Sequence, residues 1–405
     1  MPTAGHLGSD GKGSEKMESP GNFCGARKQK NLSVFRRFIA SRSGGEPGGI
    51  GDEGVYRLKR WVWIAAVILL SVFLGTWLCF PVPLSPPCPK VLMFDGLEIQ
   101  TQNNEPMARY WGQTIGVQGF FVNNVMGSWE TSVGDDENSQ LYQSARRFQV
   151  LYSKYGVTDN FIKTALYNEH DWKSPAAESR VVSNFRQAAH LAKYAGFRGL
   201  ALDLEPYVKG WWNEDPALPD KLERAYVLGR RVGAAIVSEY PDASVIALPE
   251  ILGLTCPPYQ PDFCAVYVLS HRFWDGLIQA HFRQLIIATE NSYNSVRPDM
   301  IADGTRKSYR DNLLSNGVDP ETVPISPGIW PLGQTYTDKA ARCTPAQFEE
   351  RLRLAMKQKS PYVWIYGQGS AWEKDGPYGK GDVDPRFQEF VKVLQRVQGS
   401  CAGSQ

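Results

Sequence analysis

Two acids set two residues apart, Asp203 and Glu205, close the run Phe197–Tyr207, which reads Phe-Arg-Gly-Leu-Ala-Leu-Asp-Leu-Glu-Pro-Tyr. In an extended chain, residues i and i+2 point to the same face. The preceding Gly-Leu-Ala-Leu lacks polar alternation, which predicts a strand covered on both faces, as in a parallel sheet. Two carboxyls at the mouth of such a strand are costly to desolvate and repel each other. That repulsion favours one protonated and one ionised group, the combination that acid–base chemistry needs at neutral pH. The pair could instead be structural, capping the next helix or holding an arginine. Acids at the ends of barrel strands weigh toward the functional reading.

The elements that would position these acids follow from the apolar pattern. Strand-like runs fall at Val91–Leu97, Val117–Asn123, Phe161–Tyr167, Gly199–Leu204, Ser244–Pro249, Gln284–Thr289, Val323–Ile329 and Tyr362–Gly367. Between them lie helical patterns such as Glu178–Ala195, Asp220–Tyr240, Val266–Phe282 and Pro345–Gln358. Eight strands alternating with helices over residues 91–398 predict an α/β fold, a (β/α)8 barrel. A doubly wound open sheet is the alternative, but no Gly-x-Gly-x-x-Gly turn follows the first strand.

In a barrel, the C-terminal rim of the strands collects the site. Strand by strand, this rim would carry Asp95 and Glu98, then Asn123 and Asn124, then Tyr167, Asn168 and Glu169. Asp203, Glu205 and Tyr207 follow, then Glu250, then Glu290, Asn291 and Tyr293, then Trp330, and last Tyr366, Gln368 and Trp372. Several carboxyls, amides and aromatic faces in one cleft suit glycosidic bond hydrolysis. That reaction needs a protonated carboxyl at the leaving oxygen and a negative group beside an oxocarbenium-like centre. Trp330, Trp372 and the pair Trp211–Trp212 fall in predicted loops, where an exposed apolar face calls for a ligand. Trp364 and Trp274 are expected in the core.

The run Phe197–Glu205 resembles the strand-4 signature of family 18 glycoside hydrolases, the chitinase-like barrels, D-x-x-D-x-D-x-E. Asp203 and Glu205 match its last two acids, while Arg198 and Ala201 stand in place of the first two. Tyr293 and Trp372 are similar to the tyrosine and tryptophan lining that family's sugar site. The resemblance is at the level of the clan. It implies that Glu205 is the general acid and that Asp203 orients an N-acetyl group of the substrate. In other glycosidase barrels the nucleophile is on strand 4 and the acid on strand 5 or 6, places that Glu250 and Glu290 fit. The expected activity is therefore cleavage of a glycan, with N-acetylated sugars among the candidates. The rival is a catalytically silent barrel that binds glycan.

The rest of the 405-residue chain bounds the setting. Net charge is +2 and no basic stripe appears in the second half, which argues against nucleic acid as a partner. Residues 1–60 are polar and glycine-rich, with 11 Lys/Arg against 6 Asp/Glu, the composition of a disordered tail. Residues 61–80 carry no charge and suffice to span a bilayer as one helix. Arg57, Lys59 and Arg60 precede that span and only Lys90 follows closely. This bias predicts a cytoplasmic N-terminus and an extracytoplasmic C-terminal domain. Residues 81–90 are proline-rich and read as a stalk. Five cysteines follow the span: Cys88, Cys256, Cys264, Cys343 and Cys401. Cys256 and Cys264 bracket a short loop and are the expected disulfide, which leaves an odd thiol among the rest. No Cys-x-x-C or histidine cluster points to a metal, and no cofactor is expected. A serine or cysteine triad lacks its Gly-x-Ser-x-Gly motif.

Overall fold

The computed structural model describes residues 88–94, 96–206, 211–212, 220–249, 268–331, 343–367, 372 and 387–402. Eight strands close into one barrel in sequence order. They are β1 (Lys90–Phe94), β2 (Gly119–Met126), β3 (Phe161–Leu166), β4 (Gly199–Pro206), β5 (Ser244–Leu248), β6 (Gln284–Thr289), β7 (Ile325–Ile329) and β8 (Tyr362–Tyr366). Every neighbouring pair is parallel. The ring is closed by β1 on β8, from Lys90 opposite Tyr362 to Phe94 opposite Tyr366. All eight expected strands are present, and the expected (β/α)8 layout is found.

Helices α1 (Gln140–Ser153), α2 (Pro175–Ala195), α3 (Lys221–Glu239), α4 (Val268–Ile278), α5 (Pro298–Ser315) and α6 (Pro345–Ala355) occupy the crossovers after β2 to β7, and α7 (Gln388–Ala402) follows β8. The β1–β2 crossover holds only short helical turns and a π-turn at Tyr110–Ile115. Local sequence sets several of these boundaries. Ser174 caps α2 by accepting from the Ala177 N–H, with proline in the first turn, and Gly196 ends it at φ 84°. Thr344 and Gln347 form a reciprocal capping box at the start of α6.

Two apolar layers result. Leu92, Phe121, Phe161, Ala201, Ile246, Ile286, Tyr362 and Trp364 point inward and fill the barrel. A larger layer, including Trp129, Trp211, Trp212, Trp274 and Trp372, packs between strands and helices. Both expected core residues, Trp274 and Trp364, are buried. Trp211 and Trp212 are fully buried as well and Trp330 is only 6 % exposed, which corrects the exposure expected of all three. The Trp212 indole donates to the Leu204 carbonyl (2.7 Å), and the Trp211 ring stacks on His170 at 4.5 Å. They pack the outside of β4 instead of lining its mouth.

At the N-terminal end of the strands, the buried Asp159 binds Lys90 Nζ (2.6 Å), Arg198 Nε (3.0 Å) and the Tyr362 hydroxyl (2.9 Å). Burial works to raise this carboxyl. Hydrogen bonds from Lys90, Thr158 and Tyr362 outweigh it and hold Asp159 below the ordinary 3.8. Cys88 and Cys401 form a disulfide that joins the start of β1 to α7, and Cys343 is a buried free thiol. Cys256 and Cys264 lie outside the described residues. So does the stretch 61–80; among the described residues, no helix is long and apolar enough to cross a membrane.

Candidate active site

The C-terminal end of β4 delivers Asp203 and Glu205, as the alternation of its apolar run requires. Asp203 is 2 % exposed and Glu205 is half-buried. Asp203 Oδ1 accepts the Glu205 backbone N–H at 3.1 Å. Its Oδ2 lies 2.9 Å from Lys163 Nζ, and both side chains of this ion pair are buried. Lys163 is an inward residue of β3, and its ammonium also sits 5.0 Å from the centre of the Phe94 ring. Sequence reasoning missed it. Lysine in the middle of an apolar strand, Phe-Ile-Lys-Thr-Ala-Leu, was the available signal, because a buried cation requires a buried anion. The two acids are therefore not a bare like-charge pair. Removing one partner of such a buried pair costs about 3–5 kcal/mol.

The family pattern departs from this chain at two positions whose placement is now plain. Arg198 stands at the opposite end of the barrel, bonded to Asp159. Ala201 lies in the barrel interior and is paired in register with Lys163. The small side chain at position 201 sits beside the one strand position that carries a lysine.

Glu290 follows β6 directly, in a turn closed by the Tyr293 N–H donating to the Glu290 carbonyl (2.9 Å). The Ser292 hydroxyl fastens this turn to β7. It lies 2.9 Å from the Thr289 carbonyl and 2.8 Å from the Gly328 carbonyl, and accepts the Gly328 N–H at 2.8 Å. Gly328 is where β7 must carry no side chain: a Cβ there would meet the Trp364 ring at 2.7 Å and the Tyr293 ring at 2.9 Å. The turn thus aims Tyr293 into the barrel mouth. There it lies parallel to Tyr366 (5.2 Å, 7°) and edge-on to Trp330 (5.8 Å), while Trp330 also meets Tyr366 edge-on (5.0 Å).

Tyr293 ties the acids together. Burial pushes its phenol well above the ordinary range, and the charges of Glu290 and Glu205, with Tyr366, add to that rise. The mouth therefore holds two carboxyls from different strands around a phenol that stays protonated. An aromatic wall stands beside them.

The remaining sequence candidates divide. Asn123 lies at a bulge in β2, bridged to Glu98, and the next residue, Asn124, takes φ 57°. Asn168 has an exposed side chain, and its carbonyl accepts from the Trp211 indole. Trp372 is not brought to this group: its ring is fully buried against Phe387 (5.2 Å) and Phe348 (6.2 Å), in the layer outside the strands. Asp95, Tyr207 and Glu250 lie outside the described residues. No group of three or more His, Cys, Asp or Glu among the described residues could hold a metal ion.

No family model matches the chain, and no curated protein matches it. Solved structures do. The catalytic domain of a hyperthermophilic chitinase from Pyrococcus furiosus is 12% identical, with a TM-score of 0.47 over 78% of this chain and 98% of that one. A mutant family 18 chitinase from Cycas revoluta in complex with (GlcNAc)4 is 12% identical, with a TM-score of 0.42 over 78% of this chain and 100% of that one. An endo-beta-N-acetylglucosaminidase from Cordyceps militaris is 10% identical, with a TM-score of 0.42 over 76% and 91%. The chain is similar to these glycoside hydrolases in its barrel layout, which the strand order establishes independently.

Proposed function

We propose that the barrel hydrolyses glycosidic bonds, with Glu205 as the proton donor to the leaving oxygen. The observation that carries this reading is the placement of Glu205 at the end of β4 and Glu290 just after β6, both near enough to Tyr293 to raise its phenol, beside the Tyr366–Trp330 wall at the strand ends where barrel enzymes keep their sites. Hydrolysis of an acetal needs two carboxyls in different protonation states, and aromatic faces suit the C–H faces of sugar rings. The test is to screen purified residues 83–405, which keep the Cys88–Cys401 bond, against polysaccharides and a glycan array, reading product stereochemistry by NMR. Release of reducing ends supports the reading.

A second reading is a barrel that binds glycan without cleaving it. Asp203 favours it, since a carboxylate neutralised by a buried lysine is what a silent site would tolerate. Binding on the array without any released product would establish this alternative.

The uncharged stretch 61–80, preceded by Arg57, Lys59 and Arg60, supports a further proposal about setting. The chain is a single-pass membrane protein whose barrel lies on the extracytoplasmic side. There the substrate is an external or luminal glycan.

A further inference from the structure

Resting on the hydrolase reading, we propose that Lys163 holds Asp203 as a fixed structural anion, that Glu290 is the second carboxylate of the reaction, and that the substrate therefore needs no 2-acetamido group.

A reaction assisted by the substrate's own acetamido group asks the carboxylate beside the acid to receive the amide N–H. Asp203 is committed elsewhere. Lys163 Nζ holds one oxygen at 2.9 Å, and the Glu205 backbone N–H holds the other at 3.1 Å. Both side chains of the ion pair are nearly sealed from solvent, 6% and 3% exposed. Asp203 cannot turn toward a sugar without abandoning a buried ammonium, and an uncompensated buried charge is strongly disfavoured. Its position serves the backbone instead: by gripping the Glu205 N–H it fixes the strand end that presents Glu205.

Glu290 is placed differently. It is half-buried, on the turn that Ser292 fastens to β7, and it lies close to the Tyr293 hydroxyl, which also feels Glu205. Two carboxyls from different strand ends near a neutral phenol form a complete set for direct hydrolysis. Glu205 gives its proton to the leaving oxygen as the glycosidic C–O bond breaks. Glu290 supplies the negative charge facing the anomeric carbon. One water is consumed: its oxygen ends on the anomeric carbon, and its proton restores the carboxyl pair.

The test uses 4-nitrophenyl glycosides of the gluco, galacto and manno series, bearing either a 2-hydroxyl or a 2-acetamido group, with the thiazoline of N-acetylglucosamine as inhibitor. Expected are turnover of a 2-hydroxy glycoside, no inhibition by the thiazoline, and a loss of about 10²–10⁴-fold in Glu290→Gln. Lys163→Met should lose activity and Lys163→Arg should keep most of it. Lys163→Met combined with Asp203→Asn should recover to within about tenfold of wild type, because no charge is then left unpaired. Turnover confined to 2-acetamido glycosides, inhibition by the thiazoline, or a double variant as inactive as Lys163→Met alone would overturn the inference and leave the hydrolase reading standing. A wild-type protein that binds glycans and cleaves none of them removes both.

Discussion

Tyr293 and Tyr366 stack face to face at the mouth of the barrel, their ring centres 5.2 Å apart and their planes 7° from parallel. One ring comes from the turn after β6 and the other from the end of β8, so the stack fixes the Tyr293 side chain relative to β8. Its position near both Glu205 and Glu290 places a neutral O–H donor beside the two carboxyls.

Replacing Tyr293 with Phe keeps the stack and removes that donor. Folding stability should fall by no more than about 1.5–3 kcal/mol, the worth of one hydrogen bond to the Glu290 carboxylate. Hydrolysis should fall about 10–100-fold, the worth of one hydrogen bond to a charged group. Melting curves and initial rates measured together decide it. A large drop in melting temperature with unchanged specific activity would assign the hydroxyl to structure.

Asp159 gives a pH signature at the other end of the barrel. Its folded value lies below the ordinary 3.8, so its contribution to stability is complete above that value and is lost as pH falls through the lower folded one. At pH 7, Asp159→Asn should be less stable by about 1–3 kcal/mol, the range for a hydrogen-bonded group whose charged partners are half in solvent. The difference between wild type and variant should narrow as pH drops below 3.8. Denaturant titrations at pH 7, 5 and 3 check it, and a constant difference would contradict the assignment.

The barrel was legible because each strand is a compact apolar run bounded by turn residues. Strand β6 (Gln284–Thr289) falls where the pattern put it, while β2 runs three residues past its expected end because a bulge at Asn123–Asn124 lets pairing resume at Met126. The acids of β4 and the aromatic trio Tyr293, Trp330 and Tyr366 were legible from strand ends alone. Burial of Trp211, Trp212 and Trp372 was not, since a tryptophan in a loop reads the same whether it faces solvent or the back of a strand. The Lys163–Asp203 pair was hidden for a related reason: pairing across neighbouring strands depends on register, which spacing along one strand does not contain.

The cysteines divide by topology. The Cys88–Cys401 bond spans 313 residues and leaves Cys343 buried, its thiol pushed up by burial against the pull of Arg351. Peptide mapping without reduction should recover Cys88–Cys401 and Cys256–Cys264, with Cys343 alkylated only after unfolding. Cys88→Ser should cost about 2–5 kcal/mol. Rapid alkylation of Cys343 in the native protein would contradict its burial.

Orientation is tested separately from chemistry. Protease added outside intact cells should release the C-terminal domain and leave residues 1–60 protected. Trimming of the N-terminal tail alone would reverse the orientation.

The central claim is that Glu205 donates the proton. Glu205→Gln keeps the shape and removes that proton, so glycan binding and melting temperature should stay near wild type. Hydrolysis of natural glycan should fall about 10²–10⁴-fold. Aryl glycosides, whose leaving groups need little protonation, should be affected much less. The decisive measurement is the ratio of turnover on glycan to turnover on an aryl glycoside, wild type against Glu205→Gln. The account predicts that this ratio collapses by at least about a hundredfold, and an unchanged ratio, with glycan still cleaved at the wild-type rate, would contradict it.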